Sequence, residues 1–125
     1  MSINTVILVP LTEHGVPSGN YDGSSQDFAA DPQRAANYYR GRGGLQTIRF
    51  AVSNFIGAIA IEATLDADPL SARWFVTYQY GDDSADMDGS TTETFATNVV
   101  GNFTWLRANI TNFQYGTIDL VTASY

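Results

Sequence analysis

Arg-Phe-Ala-Val-Ser-Asn-Phe, at residues 49–55, decides the fold class, because the chain repeats it as Arg-Ala-Asn-Ile-Thr-Asn-Phe at residues 107–113. Each copy continues to a glycine and an isoleucine, at residues 57–59 in the first copy and 116–118 in the second. Alternating apolar and polar residues before Asn-Phe are typical of a β-strand, and the glycine that follows is typical of a turn. The repeat therefore predicts two equivalent β-hairpins, and neither copy contains the groups that catalysis needs.

The same period-two alternation extends through the second half of the chain. Apolar residues alternate with polar or small ones at residues 48–53, 59–65, 74–80, 106–110 and 118–120, and turn-like sequences lie at 66–69, 81–83 and 114–116. Short strands at even spacing with little helix favour an antiparallel β-sandwich. We expect an all-β, jelly-roll-like sandwich with at most one short helix.

The chain divides into three zones within a single domain of 125 residues. Residues 1–11 form an N-terminal strand or arm, in which the apolar run from Val6 to Val9 is closed by Pro10, since proline cannot donate a ladder hydrogen bond. Residues 12–44 are rich in Gly, Pro, Asn, Asp and Ser and predict a long irregular loop. Within it, residues 31–36 are compatible with one or two helical turns capped by Asp31. Residues 45–125 form the β core.

Charge and composition exclude several classes of function. The net charge is −7, with six arginines and no lysine, which argues against binding to nucleic-acid backbone or to an anionic membrane. The absence of cysteine excludes disulfides, thiolate zinc sites and a cysteine nucleophile. The first residues predict no secretory signal, and no apolar stretch is long enough to span a membrane. We expect no cofactor.

Several motifs together resemble virion proteins. They are Tyr-Asp-Gly-Ser-Ser at 21–25, Asp-Pro at 31–32, Gly-Gly-Leu-Gln-Thr-Ile at 43–48, Arg-Trp-Phe at 73–75, and Gly-Asn-Phe-x-Trp-Leu-Arg at 101–107 with Gly-Thr-Ile at 116–118. Over residues 20–125 the chain resembles β-sandwich structural or accessory proteins of tailed bacteriophages, of the marine or cyanobacterial phage type.

The resemblance implies a non-enzymatic structural component of the virion, made in the host bacterial cytoplasm. It would decorate the head or belong to the tail, baseplate or fibre, held there by protein–protein packing. A homotrimer is implied by analogy alone.

Two segments are the predicted contact regions of such a subunit. The set comprises Val6, Ile7 and Leu8 in the first strand and Tyr21, Phe28, Tyr38, Tyr39, Arg40 and Arg42 in the loop. Tyr and Arg are enriched at protein interfaces, and on a chain of net charge −7 we favour a protein partner over single-stranded nucleic acid. The alternative is a carbohydrate-binding attachment module whose exposed aromatic residues stack on host surface glycans.

Three acids in the segment 82–90 are the strongest metal candidates. Asp82, Asp86 and Asp88 lie on a turning acidic loop of the kind that binds calcium. The EF-hand pattern fails, however, because Phe95 occupies the position of its bidentate glutamate. We expect a solvated acidic loop and no metal.

Catalytic readings of the remaining polar residues are weaker still. Asp66 and Asp68 are compatible with a glycosidase carboxylate pair, but Asp-x-Asp-Pro is more typical of a turn. His14, the sole histidine, lies beside no nucleophile motif and is expected to be a loop residue. Arg49 and Arg107, at equivalent repeat positions, are expected to point outward and pair with acids on adjacent strands.

Overall fold

A computed structural model describes residues 5–39, 44–81 and 91–125, without the side chains of Asn37 and Tyr39. The strands are β1 (Thr5–Val9), β2 (Thr12–Glu13), β3 (Phe28–Ala29), β4 (Gln33–Arg34), β5 (Leu45–Thr64), β6 (Phe75–Gly81), β7 (Thr91–Val100) and β8 (Trp105–Ser124), with one 3₁₀ turn at Ala36–Tyr39. They form one sheet in which every described pairing is antiparallel. The predicted all-β antiparallel class is confirmed.

The two copies of the repeat lie on β5 and β8, which are 20 residues long each and form the centre of the sheet. They pair along almost their entire length, from Thr47 opposite Ser124 to Thr64 opposite Trp105. On the outside of β5, β7 pairs with the first half and β6 with the second. On the outside of β8, β4 and β3 pair with the first half, and β2 and β1 with the second.

The predicted hairpins are wrong, because each copy of the motif is a bend inside one continuous strand. Asn54 and Asn112 adopt left-handed backbone conformations, with φ of 51° and 52°. Asparagine tolerates this region better than most residues, so the strand changes direction without ending. Gly116, placed in a turn by its sequence, lies within β8 at φ 89°. Each bent strand pairs with the other copy and not with itself.

The bends fold the sheet over, so that its two halves face one another as the layers of a sandwich. Phe50, in the first half of β5, stacks on Tyr80 of β6 with ring centroids 4.8 Å apart, although β6 pairs with the second half of β5. Burial alternates from Leu45 to Val52, as period two requires. The core between the layers includes fully buried side chains from both long strands: Ile48, Phe50, Ile59, Ile61, Leu106, Ile110, Phe113, Ile118 and Val121.

The N-terminal region is more ordered than the sequence indicates. The strand ending before Pro10 is confirmed as β1. Residues 12–44, predicted to be irregular, contribute β2, β3 and β4, all paired with β8. The helical turn suggested at residues 31–36 is wrong, because Gln33 and Arg34 pair with β8 as β4 and the 3₁₀ turn begins at Ala36.

A buried glutamine joins three separate segments at one end of the sandwich. The Gln46 side chain is fully buried, and its Nε2 donates hydrogen bonds to the carbonyl oxygens of Gly44 (2.8 Å) and Val99 (3.0 Å). Its Oε1 accepts a hydrogen bond from the backbone N–H of Ala36. These bonds hold the 3₁₀ turn against the start of β5 and the end of β7.

Candidate interaction surface

The side of the sandwich formed by β1 to β4 is closed. Leu8, Val9 and Tyr21 are each 1% exposed. The Tyr21 ring packs against Phe28 and Phe113 at centroid distances of 5.0 and 5.3 Å. The Tyr21 hydroxyl accepts a hydrogen bond from the backbone N–H of Gly15. The N-terminal segment therefore fills the space between the layers along this side.

This packing changes what the predicted contact residues can do. Leu8 and Tyr21 belong to the core, so a neighbouring protein has no access to them in the folded subunit. Val6 and Phe28 are partly buried against the same core. The Tyr39 side chain, Arg40 and Arg42 lie outside the described residues, so the predicted contacts there stay predictions.

Among the described members of that set, two are exposed on the surface. Ile7 is 52% exposed and Tyr38 41% exposed. The Tyr38 ring already packs edge-on against Trp105, with centroids 5.2 Å apart, and the Arg34 guanidinium lies 4.6 Å from its centroid. Ile7 is thus the more accessible of the two.

The opposite side of the sandwich, between β6 and β7, presents an aromatic cluster. Phe95 of β7 lies opposite Phe50 of β5 and faces Tyr78 and Tyr80 of β6, with ring centroids 6.4, 6.2 and 5.9 Å away. Phe50 is fully buried, whereas Phe95 remains 37% exposed. We call Phe50, Tyr78, Tyr80 and Phe95 the aromatic cluster. It reaches solvent at the centre of β7.

The acidic residue of β7 is already engaged within the subunit. The Tyr80 hydroxyl donates a hydrogen bond of 3.0 Å to Oε1 of Glu93. Burial, then the bond to Glu93, raises the pKa of Tyr80 far above its usual range, so the phenol remains a donor. Glu93 is the sole charged residue of β7, and this bond holds its carboxylate toward the aromatic cluster.

β7 itself is a long exposed edge strand that the sequence did not indicate. Seven of its ten residues are exposed, and among the described strands it pairs with β5 alone. Its register with β5 runs without a shift from Val100 opposite Leu45 to Glu93 opposite Val52. The sequence Thr-Thr-Glu-Thr-Phe-Ala-Thr-Asn-Val-Val lacks hydrophobic alternation, and only its richness in β-branched residues signals a strand.

The outward arginines have different surroundings. Arg107 Nε donates to Glu62 Oε1 across the β5–β8 ladder at 2.6 Å, and its guanidinium lies 4.4 Å from the Trp74 ring centroid. The predicted acid partner is therefore confirmed for Arg107. For Arg49 it is wrong among the described residues, because its cross-strand neighbours are Ala96 and Thr122.

The weak catalytic candidates behave as turn and loop residues. Asp66 accepts hydrogen bonds from Thr64 Oγ1 and from the backbone N–H of Arg73, and Asp68 accepts one from the N–H of Leu70. These short-range bonds organise the turn between β5 and β6.

His14 lies beside a shallow depression of about 240 Å³ near the bends. Its ring packs edge-on against Phe113 with centroids 5.2 Å apart. Ser53 and Thr117 also line the depression. The Ser53 hydroxyl donates to an Asp119 carboxylate oxygen at 2.8 Å, so that serine bonds to an acid and not to the histidine.

The calcium candidates Asp82, Asp86 and Asp88 lie outside the described residues. Within residues 5–39, 44–81 and 91–125, no three His, Cys, Asp or Glu side chains come together as a metal site would require. The same ranges contain no helix of the length and hydropathy that crossing a bilayer demands. Comparison with known proteins gave no matching family model, no significant match among curated proteins and none among solved structures.

Proposed function

We propose that this chain is a non-enzymatic structural component of a tailed-phage virion that acts by packing against other proteins. The observation that carries the proposal is the difference between the two sides of the sandwich. One side is sealed by the N-terminal segment, and the other presents a ten-residue edge strand with seven exposed residues, Phe95 among them. A subunit built to join an assembly needs a rigid body and an accessible surface of this kind.

The composition of the open side supports a protein partner. Edge strands present unpaired backbone donors and acceptors, which another β-strand satisfies directly. Phe75 (42% exposed), Val76 (55%) and Phe95 add apolar area on the same two edge strands. The resemblance of the sequence motifs to those of phage virion proteins agrees with an assembly role.

The carbohydrate-binding alternative has less support from the geometry. Sugar-binding modules stack exposed aromatic faces on the ligand, and tryptophan is the strongest such platform. The Trp74 ring is already covered on one face by the Arg107 guanidinium. Trp105 donates its indole N–H to the carbonyl oxygen of Ala67 and packs against Tyr38. Both tryptophans thus serve internal contacts.

The proposal is tested on the particles themselves. Virions produced from the genome that encodes this chain are purified on a density gradient, and their proteins are identified and quantified by mass spectrometry. We expect the chain to band with the particles in a fixed ratio to the major capsid protein. Its absence from washed particles, while it accumulates in the lysate, would refute the structural role.

A glycan array, read with and without calcium, separates the alternative. The structural role predicts no binding above background in either condition. Saturable binding to a defined glycan would shift the assignment to attachment.

A further inference from the structure

We propose that β7 is a self-association edge, at which a second copy of this chain pairs its own β7 antiparallel across a two-fold axis through Phe95. This deepens the proposed function by naming the partner, and it rests on that function only for its biological setting. The pairing itself is a property of the isolated protein. It joins the two sheets into one that runs through both subunits.

The first support is that β7 lacks the devices that normally protect an edge. Proteins block such edges with proline, lysine, bulges or very short strands. β1 has a register shift between Ile7 and Val9 and is followed by Pro10, and β6 has a shift opposite Ile61 and Glu62. β2, β3 and β4 are two residues long. Among the described edge strands, β7 is the longest, at ten residues, and it contains no proline. The shift in its register with β5 is confined to its first residues, between Thr91 and Glu93.

The second support is electrostatic, and it concerns where on the surface a second copy of this chain can approach. Two copies of net charge −7 repel each other in general. β7 is the place where that repulsion is weakest, because Glu93 is its one charged residue and its carboxylate is hydrogen-bonded to Tyr80. An antiparallel pair centred on Phe95 places Glu93 opposite Thr97, so the two glutamates are about 14 Å apart along the strand.

The third support fixes the register. Residues directly opposite each other in paired strands have their side chains on the same face of the sheet. A two-fold axis perpendicular to the sheet must therefore pass between two copies of the same residue, and not between neighbouring residues. An axis through Phe95 pairs nearly the whole strand and brings the two Phe95 rings side by side. Each ring is 37% exposed in the single subunit, and the pairing covers both and extends the aromatic cluster across the interface.

The size of the edge sets the expected strength. A strand of ten residues is about 34 Å long and by itself buries less than a standard interface. We therefore expect reversible dimerisation with a dissociation constant on the order of 100 µM. Copies held together in an assembly have a far higher effective concentration, so a contact of this strength suffices there.

Sedimentation equilibrium from 10 µM to 1 mM tests the association on the intact chain. The wild-type protein should show a dimer fraction that rises with concentration. Thr94→Lys should weaken dimerisation at least tenfold, because the new lysine would be repelled by Arg49 of the second copy. Thr94 lies opposite Ala96 of that copy, and Ala96 pairs with Arg49. Gln79→Lys, which adds the same charge at an exposed position of β6, is the matched control and should leave dimerisation unchanged. A wild-type protein that remains monomeric at 1 mM, or equal weakening by both variants, would overturn the proposal.

Cysteine cross-linking tests the register, since the natural chain has no cysteine. Thr94→Cys and Ala96→Cys are mixed under mild oxidation. Directly opposed residues have Cα atoms about 5 Å apart, within disulfide range. Each variant paired with itself lies on the diagonal at about 8 Å, beyond that range. We expect the mixed disulfide dimer to exceed both homodimers.

Leu70→Cys, at a residue 92% exposed and remote from β7 in the chain, is the control for random collision. Cross-linking of the β7 variants no faster than the control would refute the edge, and preferred homodimers would refute the register. Neither result depends on virions, so failure here leaves the virion test intact, and the converse also holds.

Discussion

Removing the Phe113 ring should be among the most destabilising single changes in this chain. Phe113 is fully buried at the bend of β8, and its ring contacts His14, Tyr21, Phe28 and Phe55 at centroid distances from 5.2 to 6.3 Å. Phe→Ala in a packed core costs about 3–5 kcal/mol. Three of the four ring contacts are with residues of the N-terminal segment, so Phe113→Ala would leave a cavity between that segment and β8. We therefore expect the loss of unfolding free energy to lie at the upper end of this range, at about 4–5 kcal/mol.

Urea unfolding followed by tryptophan fluorescence measures the effect. With a slope near 2 kcal/mol/M, the midpoint should fall by about 2 M. Phe55→Ala, which loses one ring partner of this cluster, should cost about 3–4 kcal/mol. The double variant should cost less than the sum, since the two rings touch. Leu70→Ala, at an exposed position, should change stability by less than about 0.5 kcal/mol. A Phe113→Ala midpoint within 0.5 M of the Leu70→Ala control, a margin of about 1 kcal/mol, would refute the packing argument.

Three further changes test separate features of the fold. Gly116→Ala should cost at least about 3 kcal/mol in urea unfolding, because the added Cβ collides with a backbone carbonyl of β5 at a residue with φ 89°. Gly15→Ala, at φ 90° but in open space, should cost about 1 kcal/mol. Equal costs for the two variants would contradict the collision. Gln46→Leu leaves buried backbone groups without partners and should cost about 2–4 kcal/mol. Gln79→Leu, at an exposed site, should be near neutral. Hydrogen bonds from the backbone N–H groups of Ser24 and Ser25 lower the pKa of Asp22 to about 2. The stability that these bonds give the loop should therefore be complete above the ordinary pKa of aspartate, near 4, and be lost as the pH falls toward 2. An NMR titration of the Asp22 carboxyl group with a midpoint near 4 would contradict this.

The sequence predicts the strands that alternate between core and solvent and misses those that do not. Residues 48–52 and 106–110 alternate because one face of each is buried, and both lie in the long strands. β7 shows no hydrophobic alternation, because most of its residues are exposed on both faces. β2, β3 and β4 show none because two-residue strands have no period, and β8 alone supplies the pairing that defines them.

The bends were misinterpreted for a physical reason. An Asn followed within a few residues by a Gly is equally compatible with a tight turn and with a bend in a strand, since both need a left-handed residue. What distinguishes them is the identity of the partner strand, which is a long-range property. The burial of Tyr21, one of the predicted contact residues, escaped notice for a related reason. An aromatic residue in a loop-like sequence looks the same whether it is exposed, like Tyr38, or buried, like Tyr21.

The repeat explains why one edge of this molecule differs from the other. The same spacing separates Arg49 from Arg107 and Asn54 from Asn112, so a local two-fold axis near Ile56 relates β5 to β8. That relation places β7 in the position that β3 and β4 occupy on the other strand. Beside β8, this position is filled by the two short strands β3 and β4 of the sealed N-terminal segment. Beside β5, it is filled by the single exposed strand β7. We therefore expect the molecule to associate through its open edge, where pairing of two β7 strands would give each copy a neighbour that the described part of its own chain does not supply.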